Sequence, residues 1–297
     1  MSKTVLITGA TGKIGRHANA AFTKAGWQVR TFNRASDDLC ESATGADVIV
    51  NGFNPPAYRN WATEVPRYTA QIIEAAKQSG AMVIVPGNVY NYGNTPGTWG
   101  PNTPQRAETR KGNIRIEMEQ QYRSAARDGV QTLILRAGDF IDSAPSDTLM
   151  SLVFLSKLSK DKLMTMGPVD CPRSFSYLPD WARAAVMLAE RRDTLQQFED
   201  VPAPSVTITM QDLRSALEMA TGRHISIKKF PWWTFHVASP FWTLAYELLE
   251  MRYLSETPHS LCGKRLAELL PEFTPTAETD VLCAEVPTSL MAKEFAA

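Results

Sequence analysis

The sequence predicts an α/β fold in which helices cover both faces of a doubly wound parallel sheet. Short β-branched runs alternate with helical stretches over the first half, and a glycine-rich turn directly follows the first run. Strands that are separated by helices imply a parallel sheet with both faces buried. After about residue 145 longer helical stretches and proline-punctuated segments take over, which indicates a smaller, mostly helical C-terminal lobe.

The first half alternates predicted strands and helices in order. The strands are predicted at Thr4–Thr8, Trp27–Asn33, Asp47–Asn51, Met82–Val85 and Thr132–Arg136. The helices are predicted over residues 13–25, 67–80 and about 112–129, where apolar residues recur at helical spacing. Gly26 and Gly80 follow two of these helices, as glycine often does where a helix ends.

The second half is predicted to be more helical. Residues 145–163 have the pattern of one helix, and a short extended piece then precedes a helix that opens at Pro179 or Asp180. Residues 210–222 predict a further helix. This lobe is expected to lie over the carboxyl ends of the sheet, where ligands of open α/β proteins bind.

Composition excludes several classes of protein. The 297 residues are 44% hydrophobic and 21% charged with a net charge of zero, so no basic surplus indicates a nucleic-acid partner. The four cysteines are far apart and form no CxxC pair, so we expect a reduced, cytoplasmic protein. No Cys/His spacing suggests a metal site.

The most apolar late stretch, residues 230–253, does not have the pattern of a membrane span. Prolines, Glu247, Glu250 and Arg252 interrupt it, so it lacks an unbroken run of about 20 apolar residues. An amphipathic helix that packs on its own protein is the simpler interpretation, and we expect no membrane partner. Contact with a membrane surface is the lesser alternative.

The segment "TGATGKIG" after the first strand is the strongest functional signal. Gly9 makes the tight turn into the helix, Gly12 lets the backbone approach a diphosphate, and Gly15 lets the helix pack closely on the sheet. The free N–H groups and dipole of the helix N-terminus then favour an anion. Because the strand and helix that this motif requires are both predicted, we expect dinucleotide binding.

The cofactor-binding residues are predicted from this turn and from the ends of the neighbouring strands. They are Gly9, Thr11, Gly12, Lys13, Ile14, Gly15, Asn33, Arg34, Asn51, Gly52 and Pro86. Residues 1–145 and about 173–200 are predicted to form the dinucleotide-binding domain. Residues of about 146–172 and 201–297 are predicted to form the substrate lobe.

The end of the second strand indicates which dinucleotide is preferred. Binders of the unphosphorylated cofactor usually place an acid there, but this chain has Asn33 and Arg34, with Asp37 and Asp38 as the nearest acids. Arg34 can pair with a 2′-phosphate, and Arg16 adds positive charge nearby. We therefore predict a preference for NADP(H), with NAD(H) as the alternative cofactor.

Five segments in order resemble the short-chain dehydrogenase/reductase superfamily, in its extended or atypical branch that is similar to NAD-dependent epimerases and dehydratases. They are "VLITGATGKIG", "PGNVYNYG", "KGNIRIEME", "LILRAGDFI" and "FSYLPDWARAAVMLAE". The resemblance covers about residues 3–200 and implies a Rossmann-like domain with a C-terminal substrate lobe. It also implies a homodimer, and a Tyr-x-x-x-Lys pair that moves a proton and holds the ribose.

The chain departs from this family pattern at the catalytic positions. Lys111 falls at the tyrosine position, Arg115 at the lysine position, and Pro86 about where the family serine stands. Glu119 aligns with an acid that is common further along the helix. Only 12 residues separate Arg34 from Asp47, too few for the usual helix and third strand, so we expect a missing or shortened edge strand.

Several side chains are candidates for the missing proton transfer. Lys111 can donate to a substrate carbonyl, and burial beside Arg115 would lower its pKa toward the useful range. Tyr90 is the second candidate, and Asn88 can bind a substrate oxygen or the nicotinamide amide. Tyr92 and Tyr177 are further alternatives. Arg115 can retain the ribose-holding role of the family lysine. The alternative without a functional role is that Lys111 and Arg115 are ordinary basic residues in the first turns of a helix.

The function predicted from these residues is hydride transfer between NADP(H) and a small carbonyl, alcohol or activated alkene. A sugar-nucleotide epimerase or dehydratase is one alternative, because the resemblance includes such enzymes. A non-catalytic protein that senses NADP(H) is the other alternative, since the glycine turn is present and the usual catalytic pair is absent.

Overall fold

The computed structural model describes residues 3–292. Its strands are β1 (Thr4–Thr8), β2 (Gln28–Thr31), β3 (Val48–Asn51), β4 (Met82–Gly87), β5 (Gly97–Trp99), β6 (Thr132–Arg136), β7 (Asp139–Ile141), β8 (Lys162–Thr165), β9 (Arg173–Tyr177), β10 (Phe198–Pro202), β11 (Val206–Ile208), β12 (Ser226–Lys229) and β13 (His259–Leu261). Its α-helices are α1 (Lys13–Lys24), α2 (Leu39–Ala43), α3 (Trp61–Ser79), α4 (Arg110–Arg127), α5 (Leu178–Glu190), α6 (Met210–Thr221), α7 (Trp232–Ala238), α8 (Thr243–Glu250), α9 (Lys264–Leu269) and α10 (Glu278–Cys283).

Six parallel strands form the central sheet in the order β10-β6-β4-β3-β1-β2. β1, β3 and β6 are buried along their whole length, as expected of strands that are covered on both faces. α1 and α5 pack on one face, whereas α3 and α4 pack together on the other. The predicted doubly wound Rossmann-like fold is therefore confirmed.

The edge of this sheet explains the short segment between Arg34 and Asp47. β2 pairs only with β1, and no described strand lies beyond it. The five-residue α2 leads directly into β3 on the other side of β1. The predicted loss of the edge strand is confirmed, and it leaves the end of β2 open at the rim of the sheet.

The helix that precedes β4 begins earlier than the sequence predicted. α3 starts at Trp61 and continues through Pro66, whereas we expected its start at Arg67. The early turn is retained because Trp61 and Val65 bury their side chains in the core. Its end at Gly80 is as predicted, with φ at 73°.

Residues 145–163 do not form the single helix that we predicted. The structure has a π-helical turn at Met150–Phe154, a 3₁₀ turn at Leu158–Lys160, and then the start of β8. Asp161 adopts a left-handed conformation that ends the helical path, and β8 pairs with β12 instead. Long-range strand pairing thus outweighs local helical periodicity in this segment.

The lobe contains small sheets as well as helices. β7, β9 and β11 form one sheet, β8 and β12 a second, and β5 and β13 a third. α9 returns to the central sheet, where Leu266 and Leu270 join the apolar core around β1 and α5. The chain therefore crosses between the two units more often than the predicted domain boundaries imply. No helix in residues 3–292 is long and apolar enough to cross a membrane.

Candidate functional site

The glycine turn after β1 is built so that only glycine fits. Gly9 has φ at 62°, and a Cβ on it would lie 2.4 Å from the Gly52 carbonyl oxygen. A Cβ on Gly52 would in turn lie 2.3 Å from the Thr8 carbonyl oxygen. The backbones after β1 and β3 thus meet without side chains, which leaves room for a ligand to approach the main chain.

The third glycine lies close to the end of β1. A Cβ on Gly15 would lie 2.3 Å from the carbonyl oxygen of Gly9, so glycine lets α1 pack tightly on the turn that leaves the sheet. Gly12 caps α1 without a side-chain hydrogen bond, and the first turn of α1 contains no acid. The helix N-terminus is therefore open to an anion, as the motif requires.

Two cations beside this turn are paired with the segment after β7. The Lys13 Nζ lies 2.7 Å from the Asp147 Oδ1, and Arg16 forms an ion pair with Asp142. His17 also contacts Asp142, with 2.7 Å between its Nε2 and the Oδ1. These pairs hold the segment after β7 against α1, next to the glycine turn.

An open cleft of about 590 Å³ lies at the exposed end of β2. Arg34 and Arg67 line it, and Arg34 donates to the Tyr68 hydroxyl. Asp37 lines it too, and it accepts hydrogen bonds from the Asn33 amide at 2.8 Å and from Ser36. The sequence argument placed this acid too far along the chain to matter, but the turn folds it back toward the end of β2.

Lys111 occupies the predicted slot but is enclosed there. Its side chain is fully buried, and its Nζ contacts the Glu250 Oε2 at 2.5 Å, the Glu247 carbonyl oxygen at 3.1 Å and the Glu247 carboxylate. An ammonium has three N–H donors, so these three acceptors use all of them. The ion pairs fasten α8 onto the start of α4, and Arg110 adds a hydrogen bond to Glu247 at 2.7 Å.

Arg115, one turn further along α4, makes no ion pair with a carboxylate among residues 3–292. Its guanidinium lies 4.7 Å from the centre of the Trp61 ring, and it reaches the Asn54 Oδ1 at 3.3 Å. Its Nε is buried without a hydrogen-bond partner, and burial lowers the pKa of the guanidinium. A buried, unsatisfied donor of this kind needs an acceptor that the protein itself does not supply.

Two phenols lie beside Arg115. The hydroxyl oxygens of Tyr58 and Tyr90 are 3.3 Å apart, and the Asn88 Oδ1 accepts from the Tyr90 amide at 3.0 Å. Burial raises the pKa of Tyr58, and it raises the pKa of Tyr90 well above its usual value. Both hydroxyls therefore stay protonated at neutral pH, and the charge of Arg115 opposes part of the shift.

A buried charge network supports the loop after β4. The Arg136 guanidinium donates to the Glu119 and Asp200 carboxylates, at 2.6–3.1 Å, and to the Asn88 carbonyl oxygen at 2.6 Å. Burial alone would lower the pKa of Arg136, but the two carboxylates raise it well above its usual value. This network ties α4, β4, β6 and β10 together behind the phenols.

The other predicted residues take several positions. Asn51 donates to the Tyr122 hydroxyl at 2.9 Å, Pro86 lies within β4, Thr11 is exposed in the glycine turn, Ile14 packs on the core, Tyr92 stacks on Trp99, and Tyr177 caps α5. Sequence reasoning missed Tyr58, Glu247, Glu250 and Arg136. No group of three or more His, Cys, Asp or Glu side chains able to hold a metal occurs among residues 3–292.

The residues present fit a nicotinamide dinucleotide. The glycine turn and the open N-terminus of α1 suit a diphosphate, and the cleft at the end of β2 suits the adenosine half. The unsatisfied Arg115 donor lies beyond β4, on the side where the nicotinamide half would bind. The glycine turn follows β1 and the cleft follows β2, at strand ends where ligands of such sheets bind, and α4 supplies Arg115.

No family model and no curated protein matches the sequence. Solved structures with the same fold are numerous. MoeE5 in complex with UDP-glucuronic acid and NAD has a TM-score of 0.75 at 17% identity, covering 95% of this chain and 97% of that chain. UDP-glucuronic acid 4-epimerase from Bacillus cereus gives 0.73 at 17% identity, with the same coverage. L-threonine dehydrogenase from Clostridium difficile gives 0.73 at 15% identity, covering 95% of each chain. The fold that the sequence resemblance implied is thereby confirmed.

Proposed function

We propose that this protein is an NADP(H)-dependent oxidoreductase of the extended short-chain dehydrogenase/reductase type, which reduces a small carbonyl or activated alkene. The observation that carries the proposal is the pair of protonated phenols, Tyr58 and Tyr90, beside the unsatisfied Arg115. This group lies at the same edge of the sheet as the glycine cradle. MoeE5 and the Bacillus cereus epimerase were both solved in complex with NAD, which supports a nicotinamide cofactor.

In the proposed mechanism Tyr90 donates a hydrogen bond to the substrate oxygen. A dihydronicotinamide held there would supply the hydride, and the Tyr90 hydroxyl would give its proton to the substrate oxygen. Tyr58, 3.3 Å away, stabilises the phenolate that remains by donating its own hydrogen bond. The nearby positive charge of Arg115 stabilises both the oxyanion and the phenolate.

Burial raises the pKa of Tyr90 and makes the phenol a weaker acid, whereas the charge of Arg115 opposes this shift and favours release of the proton. We propose reduction as the direction of reaction, since the phenol begins the cycle protonated. Lys111 is assigned to anchoring α8, because each of its N–H donors already has an acceptor. Its catalytic role stays a prediction, which the variant described in the Discussion tests.

The preference for NADP(H) is proposed from Arg34, which brings a positive charge to the cleft at the end of β2. Arg67 lines the cleft too but is paired with Glu64 at 2.5 Å, and the acids Asp37, Asp38 and Glu74 also line it. Asp37 opposes the preference, since hydrogen bonds from Ser36 and Asn33 lower its pKa and keep it anionic. Replacing Arg34 with Gln should weaken NADPH binding roughly ten- to a hundredfold and leave NADH almost unchanged. Asp37→Asn should weaken neither, and equal NADPH affinity in Arg34→Gln would refute the assignment.

The function is tested by turnover. NADPH oxidation would be followed with aldehydes, ketones and enones for the wild-type protein, Tyr90→Phe and the control Tyr92→Phe, whose hydroxyl contacts only the Gly100 carbonyl. We expect Tyr90→Phe to lose about 10²–10⁴-fold in kcat without losing NADPH affinity. Full activity of Tyr90→Phe would refute the proposed donor.

Two alternatives have distinct outcomes in the same experiment. A sugar-nucleotide epimerase, as one of the structural neighbours is named, would convert a UDP-sugar without net NADPH oxidation. A sensor of the NADP(H) ratio would bind NADPH tightly and turn over none of the panel. The occupied donors of Lys111 and the absent Tyr-x-x-x-Lys pair disfavour the epimerase.

A further inference from the structure

The hairpin formed by α7 and α8 carries the largest exposed apolar side chains of the described chain. Phe241 is 94% exposed, Trp233 and Val237 are each 70% exposed, and Tyr246 is 57% exposed. Large contiguous apolar surfaces are rare on proteins that have no partner there. We call these four side chains the aromatic patch.

An inner row of aromatic side chains lies under the patch. The tilted rings of Phe230 and Phe235 have centres 5.0 Å apart, and Phe235 packs on Trp242 at 5.5 Å. The Trp232 Nε1 donates to the Met166 carbonyl oxygen at 2.8 Å. These inner aromatic side chains pack the hairpin against the ends of β8 and β12.

The two carboxylates of α8 face inward. Glu247 and Glu250 point toward α4, where Arg110 and Lys111 bind them. Ala245 is buried on the same helix, whereas Tyr246 is 57% exposed on the outer face.

Basic residues lie beside the patch. Lys228 and Lys229 are exposed at the end of β12, directly before the hairpin, and Lys157, Lys160 and Lys162 are exposed around the start of β8. Within the described residues none of the five is in an ion pair with a carboxylate, and the neighbouring Asp161 is paired with Arg223 at 2.6 Å. Residues 226–246 contain no Asp or Glu, and Arg110 and Lys111 bind both carboxylates of α8, so no unpaired carboxylate of the hairpin opposes an anionic surface.

We propose that the aromatic patch and these lysines dock the protein onto the surface of an anionic lipid bilayer. Aromatic side chains that enter the headgroup region beside lysines are the usual means of interfacial binding. This revises our sequence expectation of no membrane partner, and it fits a chain without a described spanning helix. It does not depend on the proposed oxidoreductase function.

A second copy of the chain fits this surface less well. A two-fold contact would place the five lysines of each copy against those of the other, within the range of their repulsion. Lysine is also depleted from protein–protein interfaces. An anionic bilayer meets both the apolar and the charged part of the surface.

The test is co-sedimentation of the full chain with phosphatidylcholine vesicles that do or do not contain phosphatidylglycerol. We expect binding only with phosphatidylglycerol and release at high salt. Trp233→Ser with Phe241→Ser should weaken binding at least about tenfold, as should Lys228→Gln with Lys229→Gln. The controls Met219→Ser, another largely exposed apolar side chain, and Lys24→Gln should bind as the wild type does.

Two outcomes would overturn the proposal. One is the absence of wild-type binding, or equal binding of patch and control variants, while thermal denaturation shows all of them folded. The other is a concentration-dependent dimer that only the patch variants lose, without vesicle binding, which would assign the surface to a second copy.

Discussion

Replacing Lys111 with Met separates anchoring from catalysis at the slot where the family tyrosine would stand. The substitution keeps the length of the apolar stem and removes only the ammonium. Glu247 and Glu250, whose side chains are 7% and 16% exposed, would then share Arg110 as their sole remaining cation. One of these two carboxylates is then mostly buried without a cation of its own to balance its charge.

The expected cost follows from that uncompensated charge. Removing one partner of a buried ion pair costs about 3–5 kcal/mol, and the retained Arg110 puts this site at the low end. We predict a loss of about 3 kcal/mol, which lowers Tm by roughly 6–12 °C in a domain of this size. Adding Glu250→Gln removes the stranded charge and should restore at least half of the loss. The control Lys77→Met breaks an exposed pair with Asp128 and should cost at most about 1 kcal/mol.

Turnover of the stabilised double variant decides the role of Lys111. If the lysine only anchors α8, Lys111→Met with Glu250→Gln keeps NADPH oxidation within a few-fold of the wild type. If the lysine donates the proton, kcat stays about 10²–10⁴-fold down although stability has returned. That second result would refute the assignment of Tyr90 as the donor.

Three further predictions concern the cradle, the lobe and the buried network. Gly9→Ala, with φ at 62° and a Cβ 2.4 Å from a backbone oxygen, should abolish NADPH binding in fluorescence titration, whereas Gly26→Ala, with φ at 79° and open space, should not. Burial lowers the pKa of His259 below the usual histidine value of about 6.5, so the unfolded state binds more protons than the folded state near that pH. The stability of the fold should therefore fall as the pH drops below about 6.5, and His259→Gln should flatten that pH dependence in thermal denaturation. Arg136→Met should cost about 3–5 kcal/mol in denaturant unfolding, since it strands two buried carboxylates, whereas the exposed Arg127→Met should cost under about 0.5 kcal/mol.

The sheet and the glycine turn were predictable because their signals are local. Thr4–Thr8 and Thr132–Arg136 are unbroken buried runs, and the structure has both strands at the predicted bounds. The missing edge strand followed from chain length alone, since the residues between Arg34 and Asp47 are too few to build it. The helix predicted over residues 145–163 was wrong because β8 is specified by its pairing with β12, more than sixty residues away along the chain.

The candidate site was predictable only in part. The slot of Lys111 and Arg115 was found from spacing, but spacing does not reveal that Glu247 and Glu250 approach from α8. Asp37 was judged by its position along the chain, whereas the turn folds its carboxylate back onto the Asn33 amide. Contacts between distant segments decide which charges remain available, and the sequence carries no local sign of them.

The most direct test of the proposed chemistry is the fate of the NADPH hydride. NADPH that carries deuterium at both hydrogen positions of the nicotinamide C4 would be incubated with the protein and a carbonyl substrate found in the panel, and the product analysed by mass spectrometry and NMR. Proposed hydride transfer predicts one deuterium on the new carbinol carbon, and far less of this labelled product from Tyr90→Phe under the same conditions. Label that stays entirely in the nucleotide, with the wild-type protein binding NADPH but forming no labelled product, would contradict it.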